Sequence, residues 1–229
     1  MDRSLQLKQN FTAIETAIEA ACQSTNRPFC EVNLMAVTKY AADEDVRTLL
    51  DNTPIRHIGE SRVQQALARW QRPDFAKYPV QKHFIGHLQK NKAAQAARFF
   101  DFIDSIDNLQ IAQLLSEHAH KLNKTLRVMV QIKLTDRETQ SGISLALAPT
   151  LVKELQKLPY LRPCGYMAIA PQTTNGNELR PIFKQIRLAF ERDFATQQER
   201  YLSLGMSNDF EAAVAEGATL PRVGSKLFA

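Results

Sequence analysis

The sequence predicts an α/β fold: a closed (β/α)8 barrel (TIM barrel), one domain over residues 1–229, with an extra helix before the first strand. Three observations carry this. Eight short apolar runs alternate with helical patterns, which implies βαβ units and parallel pairing. Several runs, "VMVQI" and "LMAV" among them, are apolar almost without interruption, as in a sheet covered on both faces. The length of 229 residues lies near the lower end for such a barrel. A doubly wound open sheet is the alternative, but it usually has fewer strands.

The elements follow in order. In "MDRSLQLKQNFTAIETAIEAA" the residues Leu7, Phe11, Ile14, Ile18 and Ala21 recur at helical spacing. The strand candidates are "EVNLMAVTKY", "IRHIGES", "KHFIGHLQ", "DFIDSID", "LRVMVQIKL", "LRPCGYMAIAP", "YLSLGMS" and "LPRVGSKLF". Seven helix candidates lie between them, from "DEDVRTLLDN" to "DFEAAVAEG". Asn208, with Glu211 three residues on, is the expected cap and capping box of the last helix, and Gly217 its expected stop. Pro159 and Pro163 bracket the entry to strand six. No linker, fixed-period repeat or low-complexity segment interrupts the pattern.

Composition narrows the function classes. Hydrophobic residues make up 44% and charged residues 23%, ordinary values for a globular protein. No apolar run approaches the roughly 18 residues of a membrane span, and the N-terminus lacks an apolar signal core. These features predict a cytoplasmic chain with no membrane partner. Net charge is +5, but Lys and Arg alternate with Asp and Glu and form no block, which argues against nucleic acid and leaves an anionic small ligand open. Cys22, Cys30 and Cys164 form no CxxC pair, so neither a disulfide framework nor a zinc site is expected. His83 and His87 lie on a strand and its turn, and His118 and His120 point apart on a helix, so no metal site is expected either.

In a barrel of this kind chemistry sits at the C-terminal ends of the strands. That rule selects Lys39 after strand one, Ser61 after strand two, Gly205–Ser207 after strand seven and Arg222–Ser225 at strand eight. The last two turns occupy the usual phosphate position, with Gly205 and Gly224 admitting close approach and Ser207 and Ser225 offering hydroxyls. Taken singly they read as ordinary turn glycines and caps. A lysine at a strand end is ordinarily a solvated surface residue. At the mouth of a barrel, beside a phosphate cradle, its neutral amine is a nucleophile towards aldehydes. Pyridoxal phosphate needs that pairing, and so do sugar-phosphate aldolases, so the chemistry leaves both open.

The blocks "AVTKY", "IGESRVQQ", "HFIGHLQKNKA", "SIDNLQIA", "SGI", "GYMAIAP", "LSLGMSNDFEAAVAEG" and "PRVGSKLF" resemble, in order and over nearly the whole chain, the pyridoxal phosphate homeostasis proteins. That family resembles in turn the N-terminal barrel domain of alanine racemase. The resemblance implies pyridoxal phosphate (PLP) as cofactor, held as an imine by Lys39. It implies phosphate contacts from Met206, Ser207, Gly224 and Ser225, and Arg222 facing the pyridine nitrogen. It places Ser61, His83 and Met167 near the cofactor. The chain departs from the family pattern at Ser61 (usually Asn), Lys82, His87, Lys90, Gln140 and Ser225 (usually Thr).

An arginine at the pyridine nitrogen cannot accept its proton and weakens electron-sink chemistry. The implied role is therefore a PLP carrier or buffer in vitamin B6 homeostasis and amino- and keto-acid balance, without dedicated catalytic residues. Partners are PLP and apo-enzymes awaiting it, and the expected state is a monomer, since a second domain bearing a further base is not seen after Ser225. A low-activity PLP-dependent racemase or lyase is the alternative, and a phosphate-binding isomerase without PLP is a third.

Overall fold

The structure is a computed structural model describing residues 2–135, 140–171 and 175–229. Its eight strands are β1 (Met35–Val37), β2 (His57–Glu60), β3 (Gln81–Phe84), β4 (Phe102–Ile106), β5 (Leu126–Ile132), β6 (Leu161–Ala168), β7 (Tyr201–Ser203) and β8 (Arg222–Val223). Seven lie inside predicted segments, and β3 begins one residue ahead of its segment, at Gln81. All pair in parallel, in the order β7-β6-β5-β4-β3-β2-β1-β8. The seam between β7 and β8 is closed by other bonds. The Leu220 N–H donates to Leu202 O at 3.2 Å and the Arg222 N–H to Gly205 O at 2.9 Å. The Ser203 hydroxyl donates to Leu220 O at 3.1 Å.

The helices are α1 (Arg3–Gln23), α2 (Asp43–Asn52), α3 (Val63–Trp70), α4 (Pro73–Ala76), α5 (Ala93–Phe99), α6 (Leu109–Lys121), α7 (Ala148–Gln156), α8 (Arg180–Asp193) and α9 (Phe210–Ala215). Only α4, one turn begun by Pro73, has no counterpart in the periodicity. The N-terminal helix α1 buries Leu7, Phe11, Ile14, Ile18 and Cys22 and packs on α2 and α9. Burying each of its larger apolar side chains is worth about 1.5–3 kcal/mol before conformational cost.

Strand alternation makes two apolar cores. Residues facing out from the sheet join the helices in a continuous layer that includes Ala36, Ile58, Ile103, Val128 and Val130. Residues facing in, Met35, Phe102, Met129, Cys164, Met167 and Leu220, fill the barrel. Below them the filling turns polar. His83 stacks on Phe102 at 4.0 Å, bonds Asp104 at 2.9 Å and meets His57 at 3.0 Å. Arg127 also lies over the Phe102 ring, at 4.0 Å, and pairs with Glu199 at 2.9 Å.

Two local expectations need adjustment. Pro163 lies within β6, opposite Val128, and the ladder shifts register before Met129–Gly165, because proline has no N–H to donate. The cap of α9 is Asp209, not Asn208, and its side chain caps nothing in the helix; its carboxylate accepts instead from the Met206 N–H, closing the turn before it. Gly217 does end α9: at φ +105° it donates to Val214 O at 2.9 Å while Ala218 donates to Ala213 O, the Schellman pattern. Of the polar segment 136–144 between β5 and α7, residues 136–139 lie outside the described residues. The rest is pinned, Gln140 to Ile169 O at 2.7 Å and Ser141 to His87 at 3.1 Å.

Candidate functional site

A cavity of about 520 Å³ opens at the C-terminal ends of the strands. Its wall is built from the segments that leave β1, β3, β6, β7 and β8. From β1 come Val37, Lys39 and Tyr40; from β3, Ile85; from β6, Ile169 and Pro171. From β7 come Met206, Ser207, Asn208 and Asp209; from β8, Arg222, Gly224 and Ser225. Asp45 and Phe228 stand at the lip.

Lys39 lies two residues beyond β1, in inward register with Met35 and Val37. Among the described residues its ammonium has no carboxylate within ion-pair distance; its one recorded contact is the Tyr40 ring, 5.1 Å from Nζ. Across the mouth, Gly205 takes φ +88°, and a Cβ there would stand 2.7 Å from the Ala213 Cβ and 2.8 Å from the Phe210 Cα. Only glycine fits, and the backbone turns tightly enough to leave the Ser207 and Asn208 N–H groups with no acceptor among the described residues. The Ser225 N–H is likewise unused, and the Ser207 hydroxyl faces the same turn, accepting from the Lys226 N–H at 3.4 Å.

Arg222 is buried beneath them. Nη1 donates to Ser203 O at 2.6 Å and Ser203 Oγ at 2.8 Å, and Nη2 donates to Ala168 O at 2.7 Å. Nε–H and the second Nη2 hydrogen have no acceptor among the described residues. Burial lowers its pKa to about 10, against the attraction of Asp104 and Asp209, so it stays charged at neutral pH. Burial pushes the Asp209 carboxyl up, opposed by the Met206 N–H and by Arg222.

Thus Lys39, Met206, Ser207, Arg222, Gly224 and Ser225 share one cavity. His83 and Met167 do not line it. His83 is in register with Gly59, which is in register with Val37, one inward layer below Lys39. Met167 is in register with Ser203. Both are fully buried, and the residues two positions on, Ile85 and Ile169, reach the cavity instead. Ser61 opens into a neighbouring hollow of about 350 Å³ with Gln64, His87 and Lys92. Asp209, Tyr40 and Phe228 line the cavity without having been singled out. Among the described residues, no three His, Cys, Asp or Glu side chains are grouped to hold a metal ion.

Residues 10–229 match the family model described as alanine racemase, N-terminal domain. The chain belongs to that family. Within it, the pyridoxal phosphate homeostasis protein of Pasteurella multocida (strain Pm70) is 32% identical over 227 residues, 98% of this chain and 97% of that protein. The structure of PipY of Synechococcus elongatus PCC7942 with PLP bound superposes with a TM-score of 0.81 at 30% identity, covering 97% of this chain and all of that one. The chain is thus a member of the pyridoxal phosphate homeostasis proteins. An alanine racemase of Clostridium difficile 630 shares the fold, with a TM-score of 0.71 at 16% identity, this chain spanning 56% of its length. Membership in the homeostasis family matches what the sequence blocks imply.

Proposed function

We propose that this chain binds PLP at the barrel mouth, covalently through Lys39 Nζ, and serves vitamin B6 homeostasis by holding and releasing it. The observation that carries this is an amine that, among the described residues, has no ionic partner, in the same small cavity as two glycine turns whose N–H groups have no acceptor there. The volume suits a small ligand. A cradle that a Cβ at Gly205 would fill, and hydroxyls at Ser207 and Ser225, fit a phosphate monoester. When bound, PLP supplies an aldehyde that condenses with amines and a ring that withdraws electrons.

The protein's own groups divide the work. Ser207, Asn208 and Ser225 would hold the phosphate, and Ile85 and Ile169 provide apolar wall. Arg222, charged and donor-only, would disfavour protonation of a ring nitrogen placed against it. That favours storage over turnover at an amino-acid α-carbon. Apo-enzymes that need the cofactor are the proposed recipients. No helix among the described residues is long and apolar enough to cross a membrane. A monomeric, cytoplasmic, single-domain carrier is part of the same proposal, with light scattering as its check.

The deciding experiment is absorption of the purified chain with added PLP, before and after borohydride, followed by peptide mapping. A visible band, made permanent by reduction and mapped to Lys39, is expected. A chain that stays colourless, or a label on another lysine, would overturn the assignment. Amino acids incubated with the loaded protein in deuterated water should show negligible α-proton exchange; rapid exchange would favour a racemase or lyase.

A further inference from the structure

The turn that carries Lys39 is gripped from behind the sheet. Thr38 to Ala41 form a β-turn, with the Ala41 N–H donating to Thr38 O at 3.1 Å. Arg69, on α3, donates to both ends of that turn: Nη1 to Thr38 O at 2.8 Å and Nη2 to Ala41 O at 2.7 Å. Its Nε donates to Asp43 Oδ1 at 2.7 Å, at the start of α2. The guanidinium is therefore fixed on three sides, with the two carbonyls flanking Lys39 and Tyr40 as its main acceptors.

Glu60 completes the grip. This carboxylate is only 2% exposed. Its Oε1 accepts from Thr38 Oγ1 at 2.7 Å and Trp70 Nε1 at 3.0 Å, and stands 3.2 Å from Arg69 Nη1. An ion pair so deeply buried gives little net stability over apolar packing, since desolvation offsets its attraction. Stability alone is a thin reason for it. Its geometry has another consequence. Among the described residues Lys39 has no ionic partner; its ammonium meets only the ring of its neighbour Tyr40, itself 81% exposed. The backbone of the turn is therefore what mainly aims the amine into the mouth.

We infer that Arg69, backed by Glu60 and Thr38, is the positioning residue for Lys39. It fixes the turn so that Nζ stays over the cavity. The inference rests on the Lys39 reading above. A planar fork suits two carbonyls at a set spacing; a lysine there would reach one. Slight misplacement of a reacting group costs rate steeply.

The test compares wild type with Arg69→Met, Arg69→Lys and Thr38→Val. Three quantities are read: the rate of borohydride-trappable PLP attachment at Lys39, the affinity for pyridoxine 5′-phosphate (which has the phosphate but no aldehyde), and exchange of the Ala41 amide in the apo chain. Arg69→Met should attach PLP about tenfold more slowly, bind the aldehyde-free analogue as wild type does, and exchange Ala41 faster. Arg69→Lys should fall between, and Thr38→Val should show a smaller slowing. Wild-type attachment rates in the folded variants would overturn the inference, and so would an equal loss of analogue affinity, which marks general collapse of the site. If Arg69→Met does not fold, Arg69→Lys and Thr38→Val decide on the same readouts. If wild type carries no label at Lys39, the proposed function fails instead, and Ala41 exchange alone judges whether Arg69 holds the turn.

Discussion

The two ends of this barrel carry hollows of opposite character. At the N-terminal ends of the strands lies a cleft of about 960 Å³, rich in cations. Its arginines are already engaged: Arg162 with Glu199 at 3.0 Å, Arg180 with Glu216 at 2.7 Å, Arg187 with Glu191 at 2.8 Å. Arg27 donates to the Val214 carbonyl. The mouth is about half as large, yet among the described residues Lys39 has no ionic partner there, Arg222 keeps free donors, and three backbone N–H groups have no acceptor. Unused polar groups, rather than volume or net charge, distinguish a binding site from a solvated face.

Lys39→Ala breaks this contrast most sharply. It should abolish borohydride-trappable PLP, leaving only reversible binding through the phosphate turns; a variant that still carried reducible cofactor would remove Lys39 from the account. The next largest effect concerns the polar filling beneath the mouth. Burial, with repulsion from His83 and Arg127, holds His57 down to about 3 from 6.5. The unfolded chain takes a proton near pH 6.5 while the folded chain refuses it until near pH 3. Stability is thus full above 6.5 and falls as pH drops, by on the order of 5 kcal/mol if the whole shift is realised. The informative window is pH 6.5 to about 5, above the carboxylate range. Urea unfolding that gives equal stability across it would discount the buried histidine.

A matched pair of glycines tests the two ends directly. Gly205→Ala meets backbone and Cβ atoms at a positive φ and should cost about 2–3 kcal/mol together with affinity for phosphate esters. At the floor, Gly217 also has positive φ, but its added Cβ would meet the movable Arg187 side chain. Gly217→Ala should cost about 1 kcal/mol and leave PLP binding unchanged. Equal loss of binding in both, measured by titration, would erase the distinction. Smallest of all, Arg180→Ala should change stability by less than about 1 kcal/mol and leave PLP binding unaltered, because its pair with Glu216 is exposed.

The sequence revealed the strands well because each is a short apolar run between helices of clear period. Lys39, Ser207 and Arg222 were legible because strand ends mark the mouth. His83 and Met167 take inward-facing positions, so a linear reading puts them at the mouth, but it does not show depth along the barrel. Both are fully buried, and Ile85 and Ile169, two positions on, reach the wall. The grip on the Lys39 turn was invisible for a similar reason: Arg69 and Thr38 are 31 residues apart and meet only once α3 docks beside β1. Asp209 looked like a neighbour of a helix cap, and only the turn geometry shows its carboxylate reaching back to Met206.

The N-terminal helix bears on more than packing. Arg3 donates to Asp45 at 2.8 Å and to the carbonyls of Phe228 and Ala229, each at 2.8 Å. Residues at the two extremes of the sequence therefore meet beside the mouth. A short peptide could join them, and the chain could be recut at the exposed turn after α6, where Asn123 already adopts a left-handed conformation. Such a circular permutant would carry its new ends at the floor of the barrel, far from Lys39. There, reporters or surface tethers could be attached without crowding the opening through which a ligand must pass.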